Sequence, residues 1–222
     1  MIEIAKQSNF MQNIVEVMSG FFNLIVTIVD TKFTRIAGTD TYKETIGQRI
    51  TNYHVFRYVM TKGETVLISN PGTDFACLQC HKGGKCGKTA AIYSPITVEG
   101  KIVAGLGIYA FNERQRQLII NNDNFLRFIQ QLSELISSKL EADEYASRLE
   151  YSLKKNTAIL NSVHDGVIAV DHNGLIEQVN TSARNFLEGN EEELIGSHIG
   201  KFIPKNIIND TLIKNRHCND KE

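Results

Sequence analysis

LIVTIVDTKFTRIA, residues 24–37, reads as a strand, a tight turn and a second strand. Leu24 to Val29 is an apolar, β-branched run closed by Asp30, Thr31-Lys32 is polar and short, and Phe33 to Ala37 resumes an extended pattern. The apolar run reaches back to Phe21-Phe22. It is too short to span a bilayer and is expected to be one buried strand, with Phe21, Phe22 and Phe33 lining the interior of a first domain.

The pattern recurs. Gly166 to Asp171, the turn His172-Asn173-Gly174, and Leu175 to Asn180 form a second strand–turn–strand, and both first strands end in Val-Asp. Asn-Gly favours the positive φ angles that a tight hairpin needs. Ile46-Gly47-Gln48-Arg49-Ile50 is echoed by Ile195-Gly196-Ser197-His198-Ile199, again in the same order. Two matched signals argue for an internal duplication. The first copy continues through a helix near 53–61, a strand at 65–70, a cysteine loop, and strands at 90–98 and 101–111 joined by Glu99-Gly100. These elements predict a five-stranded antiparallel sheet with helices on one side, an α+β fold.

The totals fit two small domains in 222 residues. Lys plus Arg number 24 against 25 Asp plus Glu, a net charge of −1, so no global field favours nucleic acid or an acidic membrane. MIEIAKQSNF has no basic n-region or cleavage site, and a cytoplasmic location is expected.

Residues 161–171, NSVHDGVIAVD, with Asn173-Gly174, Asn180-Thr181-Ser182-Ala183 and Leu194-Ile195-Gly196, resemble the opening of a PAS domain. That resemblance implies further strands after Asp220, so the PAS part is expected to be truncated. Residues 1–111 resemble a more divergent PAS or GAF-like sensor. Their Cys-x2-Cys-x5-Cys loop before Ala91-Ile92-Tyr93-Ser94-Pro95-Ile96 is similar to loops in the N-terminal sensors of sigma-54-dependent transcriptional activators. The resemblance implies a cytosolic regulatory region responding to a redox or small-molecule signal. It implies no enzymatic activity in this chain, although a longer protein of that family carries an ATPase. The sensory region of a histidine kinase, or an electron-transfer or metal-binding protein, is the alternative.

CLQCHKGGKCGKT, residues 77–89, offers several chemistries. As a phosphate-binding loop it fails on spacing, because the position that needs glycine is Lys82, and on context, because Lys88-Thr89 precedes a strand pattern. Cys77-Leu78-Gln79-Cys80-His81 matches a c-type haem attachment site, but that chemistry belongs outside the cytosol, and His54 is the only other histidine in residues 1–111. Cys77, Cys80 and Cys86 together could hold a [4Fe–4S] cluster by three irons. The same thiolates with His81 as a fourth ligand could hold zinc, although His81 adjoins Cys80 and Cys218 lies far along the chain. Three unligated thiols are the remaining reading. His81, Lys82, Lys85 and Lys88 surround them with positive charge, which is expected to favour thiolates.

Residues 112–160 contain neither proline nor glycine, and Leu118, Phe125, Ile129, Leu132, Ile136, Leu149, Leu153 and Leu160 form a helical stripe. The stripe either packs on its own sheet or joins two copies in a parallel coiled coil, and a homodimer through 112–160 is expected. The segments are therefore a sensor at 1–111, a signalling helix at 112–160 and a PAS part at 161–222. Asp30 and Asp171 are expected to bond their own turns rather than act as acids, and His164 to be exposed.

Overall fold

The computed structural model describes residues 7–78, 80 and 85–204. The chain divides into two compact units, one through Tyr145 and one from Ala146.

In the first unit, α1 (Ser8–Phe22) precedes β1 (Ile25–Asp30), β2 (Arg35–Gly38), a 3-10 turn (Asp40–Thr45), α2 (His54–Lys62) and β3 (Val66–Ile68). β4 (Ala90–Val98), β5 (Lys101–Ala110), α3 (Glu113–Ile120) and α4 (Asp123–Ser162) follow. The sheet order is β2-β1-β5-β4-β3 and every pairing is antiparallel. Alternation along each strand sends side chains to two different cores. Val26 and Ile28 of β1 and Leu106 and Ile108 of β5 join Met11, Val15 and Met18 of α1 and Phe125, Ile129 and Ile136 of α4. Val29, Tyr93 and Tyr109 point the other way and meet Val55, Phe56 and Val59 of α2. Helices thus cover both faces of the sheet rather than one. Such double coverage is why β1 and β5 are apolar at successive positions.

The expected strand from Phe21 starts later, because α1 runs to Phe22 and ends on Asn23 in the left-handed region at φ 52°. The signal was present in Met11, Val15, Met18 and Phe22, spaced as one helical face. Phe21 lies on the flank of that face and is 83% exposed. Phe22 packs edge-on against Phe125 at 5.0 Å, and Phe33 stacks on Tyr53 at 4.4 Å.

The connector breaks at Asn121-Asn122, giving α3 and then the 40-residue α4. Asn112 and Asn122 accept from Gln115 N and Phe125 N at 2.9 and 3.1 Å, capping each start. The Phe125–Leu140 part of the stripe is buried in the first unit's own core. Ser137 Oγ accepts from Thr97 N at 3.1 Å and Glu141 Oε1 from Glu99 N at 2.7 Å, holding α4 to the β4–β5 hairpin. Beyond it, Tyr145, Leu149, Leu153 and Ile159 are exposed.

In the second unit, among the described residues, β6 (Ile168–Val170) pairs only with β7 (Ile176–Val179), and α5 (Thr181–Leu187) and α6 (Glu191–Leu194) follow. The duplication extends to single hydrogen bonds. Asp30 Oδ1 accepts from Lys32 N and Thr34 N at 2.9 and 2.7 Å; Asp171 Oδ1 accepts from Asn173 N and Leu175 N at 2.9 and 2.8 Å. Gly47 N donates to Arg35 O and Gly196 N to Ile176 O, both at 2.8 Å. Phe33 has φ 63° where the second copy places Gly174 at φ 80°. The carboxylates are turn formers, as expected, and His164 is exposed.

Candidate functional site

A row of small residues, Gly107, Thr27 and Gly38, crosses the sheet beside Tyr93, because Tyr93 pairs with Gly107, Gly107 with Thr27, and Thr27 with Gly38. A Cβ at Gly107 would stand 2.5 Å from Tyr109 Oη and 2.9 Å from Phe56 Cζ. At Gly105 it would stand 2.8 Å from Phe56 Cδ1. The glycines let two aromatic rings lie flat on the sheet. Above this floor the 3-10 turn with Tyr42, the stretch Gln48 to Asn52, Phe56 and the end of the cysteine loop enclose a cavity of about 360 Å³.

Its charge is one-sided. Arg35, Arg49 and Lys88 line it, and no Asp or Glu does among the described residues. Arg35 is 8% exposed; its Nη1 donates to Thr27 Oγ1 at 2.5 Å, its guanidinium lies 4.1 Å over the Tyr42 ring, and its Nε is buried without a partner. Burial lowers its pKa against the opposing influence of Tyr109 and Tyr42. Lys88 Nζ donates to Tyr93 Oη at 3.1 Å and sits 3.5 Å above the Tyr109 ring. Burial brings Lys88 down to about 8, against the three cysteines nearby, which raise it. Tyr93 and Tyr109 are both pushed up by burial, so their hydroxyls stay protonated. Partly desolvated cations with no carboxylate beside them are costly unless an anion joins them.

The cysteine loop borders this cavity. Asp74 Oδ2 accepts from Ser69 N and Asn70 N at 2.7 and 3.0 Å, shaping the approach to a short 3-10 turn, Phe75–Cys77. Cys77, Cys80 and Cys86 are free and half-buried, and Cys86 lines the cavity directly. Asn52, also in the lining, presents Nδ2 at 3.2 Å and Oδ1 at 3.3 Å to Cys80 Sγ. Cys77 is raised by burial, opposed by a hydrogen bond from Gly72 and raised further by Cys80 and Cys86. Among the described residues the largest influence on Cys77 is burial, which disfavours its thiolate. Lys85 is exposed, and Lys88 turns inward to the tyrosines. His81, Lys82 and Cys218 lie outside the described residues. Among the described residues no three His, Cys, Asp or Glu side chains are gathered to hold a metal ion; by type the thiols suit iron or zinc. Gly87-Lys88-Thr89 leads into β4, not a helix, which removes the phosphate-loop context.

The sheet order, the doubly covered first unit and the repeated hairpin define a PAS/GAF-like α+β fold. Residues 154–217 match the family described as the PAS fold. The chain is 24% identical over 195 residues to a protein of Escherichia coli (strain K12) named as a uric acid sigma-54-dependent transcriptional regulator, UacR. The match covers 87% of this chain and 32% of that protein, so the chain spans about a third of its relative. In fold it is similar to the crystal structure of the E. coli DhaR(N)–DhaL complex, with TM-score 0.57 and 15% identity, covering 96% of this chain and 72% of that one. No helix among the described residues is long and apolar enough to cross a membrane.

Proposed function

We propose that this chain is the cytoplasmic signal-sensing region of a sigma-54-dependent type of transcriptional activator, regulatory and without catalysis of its own. The first unit receives a small-molecule or redox signal in the cavity beside the cysteine loop, and α4 carries the response toward the PAS unit. The observation behind this reading is the cavity: it joins Arg35 and Lys88 to Cys86 in a chain similar to such a regulator. The name of UacR makes urate the first compound to test. With the full-length protein driving a sigma-54-dependent reporter, signal-dependent output should vanish when the cavity is filled by Thr41→Trp. Output that needs the downstream region to phosphorylate its own histidine would move the chain to the histidine-kinase reading.

Dimerisation belongs to the second half of α4. Ala142, Ala146, Leu149, Leu153, Asn156 and Leu160 fall at alternating intervals of four and three, the spacing of a coiled-coil seam. Phe125 and Ile129 are spent on the first unit's core and contribute nothing to a partner.

A second reading keeps a [4Fe–4S] cluster, or zinc with His81, on Cys77, Cys80 and Cys86. It is favoured by all three cysteines lying near enough to influence Lys88 together. Protein purified without oxygen should then be brown and contain iron and sulfide, and Cys→Ser at any of the three should release the metal. His81→Ala should spare a cluster and abolish a zinc site. Three freely titrating thiols in metal-free anaerobic protein would return the loop to a purely thiol role.

A further inference from the structure

We infer that the first unit's cavity is a site for a small organic carboxylate, whose negative group is held between Arg35 and Lys88 and whose binding shields Cys86. This rests on the sensory reading above and names the chemical class of its signal.

The cations and their surroundings carry the inference. Arg35 and Lys88 sit on adjoining rings, over Tyr42 at 4.1 Å and Tyr109 at 3.5 Å, with those rings 5.5 Å apart. The side chain of Arg35 is buried, lines the cavity and has an Nε with no acceptor. No carboxylate among the described residues lines the cavity or forms an ion pair with either cation. The three thiols influence Lys88, but the opposing influences on Arg35 come only from Tyr109 and Tyr42. Both phenols are kept protonated by burial. A guanidinium stripped of water and paired with neutral groups is matched by an anion offering oxygens in its plane.

The cavity also says what the rest of the ligand is. At about 360 Å³ it is far roomier than one inorganic ion needs, and Phe56 and the tyrosines give it an apolar wall. Thr41, Thr45, Gln48, Thr51 and Asn52 supply neutral donors and acceptors on the other side. Cys86 and Lys88 come from one loop end, line the same cavity and interact electrostatically, so a ligand on Lys88 occupies space that Cys86 borders.

The test uses pairs of probes that differ in charge and hardly in shape: benzoate with benzamide, and nicotinate with nicotinamide, plus inorganic phosphate. Thermal shift and the rate of Cys86 alkylation by iodoacetamide, read by mass spectrometry, are measured on the whole chain. At least one carboxylate should raise the melting temperature and slow alkylation of Cys86, whereas its amide and phosphate should do neither. Arg35→Gln should weaken that carboxylate about tenfold or more, the worth of one charge-assisted hydrogen bond. If Arg35→Gln does not fold, Lys88→Gln and Arg49→Gln supply the same comparison. The inference is overturned if amides act as well as acids, if phosphate acts as well as carboxylates, if no carboxylate acts at 10 mM (about the weakest binding such a site could have), or if none of the variants weakens binding. Amides that protect Cys86 would overturn the anion class and leave the sensory reading standing. Anion binding with no signal-dependent reporter output would do the reverse.

Discussion

Arg35 reaches across from β2 and donates from Nη1 to Thr27 Oγ1 at 2.5 Å, while Thr27 Oγ1 donates onward to Ala37 O at 2.9 Å. This pair fixes a buried guanidinium against the sheet floor, and the cavity depends on it. Thr27 is fully buried in β1 at a position where the neighbouring strands carry Gly38 and Gly107, so on the sheet side its hydroxyl holds the arginine while the Tyr42 ring stacks on the guanidinium at 4.1 Å.

Thr27→Val removes the hydroxyl at nearly constant volume. It leaves Arg35 Nη1 without an acceptor and should lower stability by about 1–3 kcal/mol in urea unfolding. An unchanged midpoint would mean that water or a rotated guanidinium replaces the bond.

Gly107→Ala should be worse than its size suggests. The new methyl would meet Tyr109 Oη and Phe56 Cζ inside van der Waals distance, and overpacking of this kind costs about 1–3 kcal/mol. Gly20→Ala, in exposed helix with open space around the new carbon, should stabilise by about 0.5–1 kcal/mol. Calorimetry of the two variants should give shifts of opposite sign.

Lys88 should titrate at about 8, which the carbon-13 shift of its Cε can follow. The ordinary value is 10.5, so between about 8 and 10.5 the unfolded chain binds the extra proton and this residue adds stability as pH rises. Cys77, raised from 9.0, acts oppositely once the unfolded thiol ionises, so the residue-specific titration is the cleaner measure. A Lys88 midpoint above 10 would contradict the buried position.

Association should respond to the far half of α4 alone. Leu149→Glu with Leu153→Glu should convert a dimer to monomer in light scattering and leave the first unit folded, because both leucines are exposed. Ile129→Glu should unfold the first unit, because Ile129 is buried in its core. Equal effects of the two changes on folding would count against the division of the helix.

Asn180 should be the most sensitive polar residue of the second unit. It is 3% exposed; Nδ2 donates to Leu160 O and Asp165 O at 3.0 and 2.9 Å, and Oδ1 accepts from Val167 N and Ala183 N, both at 2.9 Å. Asn180→Ala loses the cap of α5 and leaves these backbone groups unpaired. A cost of about 2–3 kcal/mol is expected, with amide exchange accelerated around Val167 and Ala183.

What the sequence determined by itself was local. Asp30 and Asp171 build their turns with backbone amides two and four residues on, Glu99-Gly100 closes its hairpin with φ 49° and 73°, and the duplicated hairpins follow from such short-range bonds. Clustering of Cys77, Cys80 and Cys86 was equally plain, since one loop contains them. Tertiary structure decided what those cysteines adjoin. Arg35 in β2 and Tyr109 in β5 are unremarked letters, and Lys88 before β4 is only one cation beside the cysteines, until strand pairing brings them around one cavity; alternate glycines at 105 and 107 were the available sign that something bulky lies on that face. The stripe in 112–160 was visible as helix, but a periodic apolar face looks the same whether it covers its own sheet or another chain. Only the packing separated Ile129 from Leu149, because burial depends on which surfaces meet, and no interval in a sequence records that.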